Sequence, residues 1–180
     1  MILETERLIL RPWEERDAND LFQYASNPEV GPIAGWPVHT SVENSKEIIK
    51  SVFSALETYA VVLKETMHPV GSIGLMLSSA SDKGLSDTEA KIGYWIGVPY
   101  WDQGLIPEAI RDIMRHGFDD LKLEKMWCGY FDGNTNSQRV QEKCSFRYHH
   151  TKENVPCALE GALRTEHITC LSKAEWISIK

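Results

Sequence analysis

The spacing of apolar side chains divides the chain into alternating strands and helices. Arg7 to Arg11 reads as a first strand, closed by Pro12, which cannot donate to a ladder. Leu21, Phe22 and Ala25 at helical spacing predict a short helix from Ala18 to Ser26, ended at Asn27-Pro28. Glu29 to His39 holds Gly31, Pro32, Gly35 and Pro37 and is a loop. Thr40-Ser-Val-Glu43 has the form of a capping box, and Val42, Ser45, Ile48, Ile49, Val52, Phe53 and Leu56 follow on one helical face.

Tyr59 to Lys64 and Val70 to Leu77 are β-rich runs joined by Thr66-Met-His-Pro69, an antiparallel hairpin. Ser78 to Thr88 is polar and reads as a mobile loop. Lys91 to Val98 is a central strand in which Gly93 and Gly97 permit a bulge or a close approach by a ligand. Ala109, Ile110, Ile113, Met114, Gly117, Phe118 and Leu121 trace one face of a helix with Pro107 in its first turn. A strand at Lys125 to Phe131, a helix at Ser137 to Cys144 and strands at Phe146 to Thr151 and Arg164 to Leu171 follow. Ser172-Lys-Ala-Glu175 caps a last helical turn. These elements predict an α/β fold on a single mixed, twisted sheet.

Composition narrows the classes. A chain of 180 residues, 42% hydrophobic and 25% charged, is expected to be one globular domain spanning 1–180. Its start lacks the pattern of a secretory leader, and no run of about eighteen apolar residues occurs, so a cytoplasmic protein without a membrane partner is expected. Cys128, Cys144, Cys157 and Cys170 are too far apart for a zinc ribbon or dithiol site; reduced, packed thiols and no metal are expected. A formal charge of -7 argues against nucleic acid as a partner and suits a cationic substrate.

The chemistry centres on Trp101-Asp-Gln-Gly-Leu-Ile-Pro107. A turn that leaves a strand and opens a helix aims free amides and the positive end of the helix dipole at one spot. Here Gly104 permits close approach, and the amides of Gln103, Gly104, Leu105 and Ile106 can donate to an anion such as a pyrophosphate. A glycine-containing loop before a helix is, by pattern alone, more often only the start of that helix.

Five segments extend the pattern: Thr5-Glu-Arg-Leu-Ile-Leu-Arg-Pro-Trp13, Asn27-Pro-Glu-Val30, Ile92-Gly-Tyr-Trp-Ile96, Trp101 to Ala109, and Asn134 to Phe146. In this order they resemble the GNAT superfamily of N-acetyltransferases, in its RimJ/RimL-like branch, which acetylates N-terminal amines of ribosomal proteins. The resemblance implies a GNAT-like sheet of about 6–7 strands with a splayed central strand, flanked by about four helices. It also implies acetyl-CoA as cosubstrate, its pantetheine along Ile96 and Val98 and its pyrophosphate on the amides of Gln103 to Ile106. Asn134 and Ser137 match the family's Asn-x-x-Ser, which reaches the pantetheine and the sulfur end. By pattern alone, Asn134 is a turn residue and Ser137 an N-cap.

Several positions depart from the branch. Asp102 puts a carboxylate where glycine is usual, Ser145 replaces the glycine before Phe146, and Lys91 stands where the branch often has Glu on the central strand. Glu89, on the same strand face, and His39, in the loop bordering the acceptor site, are the candidate bases. The position that carries a proton-donating Tyr in many relatives is Gln141, which leaves Ser137 to serve the departing sulfur, and a strand amide near Ile96 or Gly97 to hold the oxyanion.

An α-amine, with a pKa of about 8, is roughly one-tenth neutral at pH 7, whereas a lysine side chain at about 10.4 is neutral roughly once in two thousand. A site without an emphatic base therefore fits an N-terminal α-amine. Acetylation of a small amine (polyamine, amino acid or antibiotic) and a non-catalytic CoA-binding module are the alternatives, and the protein is expected to be a monomer or homodimer.

Overall fold

The computed structural model describes residues 1–78 and 84–179, so residues 79–83 of the expected loop lie outside the described residues. Eight strands form one sheet: β1 Leu3–Glu4, β2 Leu8–Arg11, β3 Thr58–Leu63, β4 His68–Leu77, β5 Glu89–Ile96, β6 Lys125–Phe131, β7 Arg147–Pro156 and β8 Leu163–Ser172. Their order is β1-β2-β3-β4-β5-β6-β8-β7. Five α-helices accompany them: α1 Ala18–Ala25, α2 Val42–Ser51, α3 Leu105–Arg115, α4 Thr135–Lys143 and α5 Lys173–Ile179. The count exceeds expectation because a two-residue strand leaves no periodicity to read, and because the capped turn after Ser172 continues into α5. Among the described residues no helix is long and apolar enough to cross a membrane.

Among the described residues β5 and β6 are the one parallel pair, and they touch only where Glu89–Lys91 meets Lys125–Trp127. Beyond that point β5 stays bonded to β4 as far as Ile96, and β6 stays bonded to β8 as far as Phe131. The two strands are thus pulled apart into a V. Gly97 N–H donates to Val70 on β4, so by alternation the amides of Tyr94 and Ile96 face the gap.

α3 buries Leu105, Ile106, Pro107, Ala109, Ile110, Ile113 and Met114 against one face of the sheet. At about 1.5–3 kcal/mol for each large aliphatic side chain, this burial fixes where the helix begins. The other face carries α1 and α2, with Trp13, Leu21, Ile49, Ala60 and Val62 as its core.

Some local expectations change. α2 is capped by Ser41, whose hydroxyl accepts from Asn44 N–H at 3.0 Å, rather than by a Thr40–Glu43 box, and Leu56 lies outside the helix at 86% exposure. β5 ends at Ile96, because Val98–Tyr100 turns in a 3-10 conformation around Pro99. Gly97 makes room for Tyr24, whose ring a Cβ would meet at 2.6 Å, rather than for a bulge or ligand. α4 starts at Thr135, and its N-cap is Asn134 rather than Ser137. Ser145 is left-handed at φ 66°, the conformation that explains why glycine suits that place. By contrast, the box after β8 forms as expected: Ser172 Oγ donates to Glu175 at 2.7 Å, and Glu175 N–H donates back at 3.3 Å.

Candidate active site

A cavity of about 1100 Å³ runs through the V and opens on both faces of the sheet. On the α3 side it is lined by Ile92, Tyr94, Ile96, Trp101, Asp102, Gly104 to Pro107, the start of α4, and Arg139 and Lys143; the last two lie one turn apart on α4. On the α1–α2 side it is lined by Trp36, Trp95, Phe131, Lys91 and Glu166.

The start of α3 is built to expose donors. Gly104 is left-handed at φ 74°, and no side chain caps the helix. Glu108 N–H is the first amide to find an acceptor, on Gly104, at 3.1 Å. The amides of Leu105 and Ile106 therefore have no intrahelical partner, and Pro107 has none to offer. Arg7 steadies the turn from outside: its guanidinium donates to Gln103 C=O at 3.0 Å and to Glu108 at 2.7 Å. Glu108 also accepts from Thr5 Oγ1 and Arg7 N–H. Burial works to raise the Glu108 pKa, but these hydrogen bonds outweigh it and hold the carboxyl below its ordinary value. Trp101 closes the turn by donating its indole N–H to Ile96 C=O at 3.0 Å.

Where the α4 N-terminus meets β5, a hydroxyl network lines the gap. Ser137 N–H donates to Asn134 Oδ1 at 3.1 Å, and Ser137 Oγ lies 2.8 Å from Tyr94 Oη. Gln141 donates to Gly129 C=O, to Ser137 Oγ and, more weakly, to Tyr94 Oη, while Thr169 donates to Gln141 Oε1 at 2.7 Å. Burial pushes the Tyr94 phenol well above its ordinary value, so it stays protonated.

Of the residues singled out from sequence, Ile96, Gly104, Leu105, Ile106, Asn134 and Ser137 converge on this cavity. Val98 sits in the turn beyond β5, and the Gln103 side chain folds back to Pro99 C=O at 2.8 Å, so both stand off the lining. Glu89 accepts from Ser86 N–H at the start of β5, and His39 is buried 2.8 Å from Ser45 Oγ; neither lines the cavity. Burial holds His39 below its ordinary pKa. The Gly97 amide, bonded to Val70, is not free for an oxyanion, which leaves Ile96. Asp102 is exposed and left-handed at φ 58° beside the free amides.

Sequence reading missed Tyr94, Arg139, Lys143 and Glu166. Tyr94 lies two residues before Ile96 on the same strand face, and Arg139 and Lys143 stand four apart on a helix, so simple periodicity could have found all three.

The residues present fit an acyl-CoA: free amides and two cations without an ion pair among the described residues, Arg139 and Lys143, suit phosphates, and an open strand edge suits an amide-bearing arm. The fold and this cleft define an acyl-CoA-dependent transferase. The family model of the Acetyltransferase (GNAT) domain matches residues 7–147, and the chain belongs to that family. The uncharacterized N-acetyltransferase YoaA of Bacillus subtilis is 30% identical over 152 residues, 81% of this chain and 82% of that one. A GNAT-family acetyltransferase from Bacillus anthracis superposes with a TM-score of 0.84 at 23% identity, covering 97% of this chain and 100% of the other. Mycobacterium smegmatis RimJ, solved in complex with CoA-disulfide, superposes with a TM-score of 0.73 at 17% identity, covering 96% and 88%. The protein is an acetyl-CoA-dependent N-acetyltransferase.

Proposed function

We propose that residues 1–180 act as one unit that transfers acetyl from acetyl-CoA to the α-amine of a peptide or protein N-terminus in the cytoplasm, by direct attack in a ternary complex and without a metal. The observation that carries this reading is the uncapped start of α3 facing the V between β5 and β6. Acetyl-CoA supplies an acetyl group activated as its thioester. Leu105 and Ile106 amides, with Arg139 and Lys143, are placed to hold its phosphates, and the Ile96 N–H is placed to donate to the carbonyl oxygen as charge develops there. The hydroxyls of Ser137 and Tyr94 serve the departing sulfur, with Asn134 and Gln141 fixing the orientation of Ser137. Burial pushes Cys128 up to about 12 and Cys144 up to about 11, so neither thiol is a ready nucleophile for an acyl-enzyme.

The resemblance of the five sequence segments to the RimJ/RimL-like branch supports an N-terminal α-amine as acceptor. The test is release of CoA thiol from acetyl-CoA, in the presence of EDTA, across hexapeptides beginning with Ala, Ser and Met and across spermine, L-lysine and an aminoglycoside. Turnover is expected with the peptides at least tenfold faster than with the small amines. Faster turnover with a small amine would replace the α-amine assignment.

A further inference from the structure

We infer that Glu166 is the group that binds and deprotonates the acceptor amine, an assignment that rests on the acetyltransferase reading above. Three carboxylates line the cavity among the described residues: Glu29 and Asp102 are exposed, and Glu166 is buried, at 8% exposure. Glu166 pairs with Phe131 across β6 and β8, which puts it on the α1–α2 face of the sheet, opposite Tyr94 and Ser137. An amine entering from that face meets Glu166 on one side of the V, while the sulfur-side hydroxyls stand on the other.

The local packing holds a place for this carboxylate. Its Oε1 accepts from Lys91 Nζ at 2.8 Å, and Oε2 takes no hydrogen bond from the described residues. A Cβ on Gly129 would collide with Glu166 Oε1, so the absence of a side chain there keeps the space open. The charged groups around Glu166 are Lys91 on β5, Arg164 two residues earlier on β8 and Lys152 opposite it on β7; the Cys128 thiol lies near on β6. All three charged neighbours are cations, and the second carboxylate oxygen, which takes no hydrogen bond from the described residues, is left to face an ammonium ion. Trp36 and Trp95, with ring centroids 5.8 Å apart, form an aromatic wall suited to the cationic head.

The protons balance. The acceptor ammonium loses two as its nitrogen forms the amide bond and the carbon–sulfur bond breaks. One passes to Glu166 before attack and leaves to water through the open cavity; the second ends on the sulfur, on the side of Ser137 and Tyr94.

The test compares wild type with Glu166→Gln, using the fastest hexapeptide of the panel between pH 7 and pH 9, with CoA affinity measured by calorimetry. The amide keeps the shape and an oxygen for Lys91 but cannot take a proton. Affinity for CoA is expected to stay within about twofold, while kcat/KM for the peptide falls about 100-fold at pH 7. Because the variant can use only neutral amine, its kcat/KM should rise about tenfold between pH 7 and pH 9, more than that of wild type. A deficit that is the same at every pH, or variant rates matching wild type, overturns the assignment. Should Glu166→Gln fail to fold, Glu166→Asp carries the test: a smaller deficit that shrinks with rising pH supports it, and wild-type rates or a constant deficit overturn it. If wild type itself releases no thiol with any acceptor, the acetyltransferase reading falls and this assignment with it.

Discussion

Replacing Asp102 by Asn asks whether the donors at the start of α3 hold a diphosphate. Asp102 is exposed, has no hydrogen bond or ion pair among the described residues, and precedes the free amides by only a few positions. Asn has the same shape and tolerates the left-handed backbone, so the substitution changes charge and little else. A carboxylate roughly 6 Å from each of two phosphate charges is repelled in water by about 0.7 kcal/mol per charge, or about 1.4 kcal/mol together. The dielectric of water is the appropriate one, because the side chain faces solvent.

Salt then decides the size of the effect. At 0.15 M the screening length of about 8 Å removes roughly half of the repulsion, which leaves about 0.7 kcal/mol, a threefold change in Kd. At 10 mM the length is about 30 Å and a change of roughly sevenfold survives. Calorimetric titration of CoA into wild type and Asp102→Asn at the two salt concentrations should show tighter binding to the variant, by more at low salt. Equal affinities at 10 mM, or tighter binding to wild type, would refute the placement of the diphosphate beside this turn.

The other predictions use different readouts. Ser137→Ala and Tyr94→Phe should each lower kcat about tenfold or more while leaving CoA affinity intact, and the double variant should lose less than the product, since the two oxygens share one hydrogen bond; multiplicative losses would show independent roles. His39 has its pKa held down by burial, so the unfolded chain takes up a proton near pH 6.5 that the folded protein refuses. The stability linked to His39 is therefore present above that pH and lost as pH falls: the gap in urea midpoint between wild type and His39→Gln should narrow from pH 7.5 to 5.5, and a constant gap would contradict it. Iodoacetamide at pH 8 should leave Cys128 and Cys144 unmodified in the native protein and label them after unfolding; rapid native labelling of either would reopen a covalent route.

Local chemistry was legible from the residues, and distant contact was not. The Trp101 to Pro107 turn could be read because its function is carried by neighbours in the chain: a glycine, free amides and a proline within one helical turn. The hairpin β3–β4 could be read for the same reason, two β-rich runs either side of turn residues. The misreadings at helix starts have a shared cause. Thr40 and Ser41, or Asn134 and Ser137, are each able to cap, and which one does so depends on the angle at which the preceding chain arrives. Strand period and loop position bring Glu89 and His39 near the site along the chain. In the fold, the start of β5 lies at the closed end of the V, and the His39 side chain turns inward to Ser45.

Glu166 shows where such reading stops. It is 75 residues from Lys91, and the ion pair joining them exists because β8 lies directly beside β6, although β7 precedes it in the chain. That order turns the inward face of β8 toward the gap that β6 and β5 leave, and nothing in the period of Leu163–Ser172 encodes which strand will be its neighbour. The exchange of a carboxylate for Lys91 on β5 looks, along the chain, like the loss of a base. Across the sheet the cation on β5 holds, from the opposite wall, an acid contributed by β8, and Gly129 between them keeps the space clear. A carboxylate on β8 can therefore serve the cavity that β5 lines, because the amine meets a position in space and not a position in the sequence.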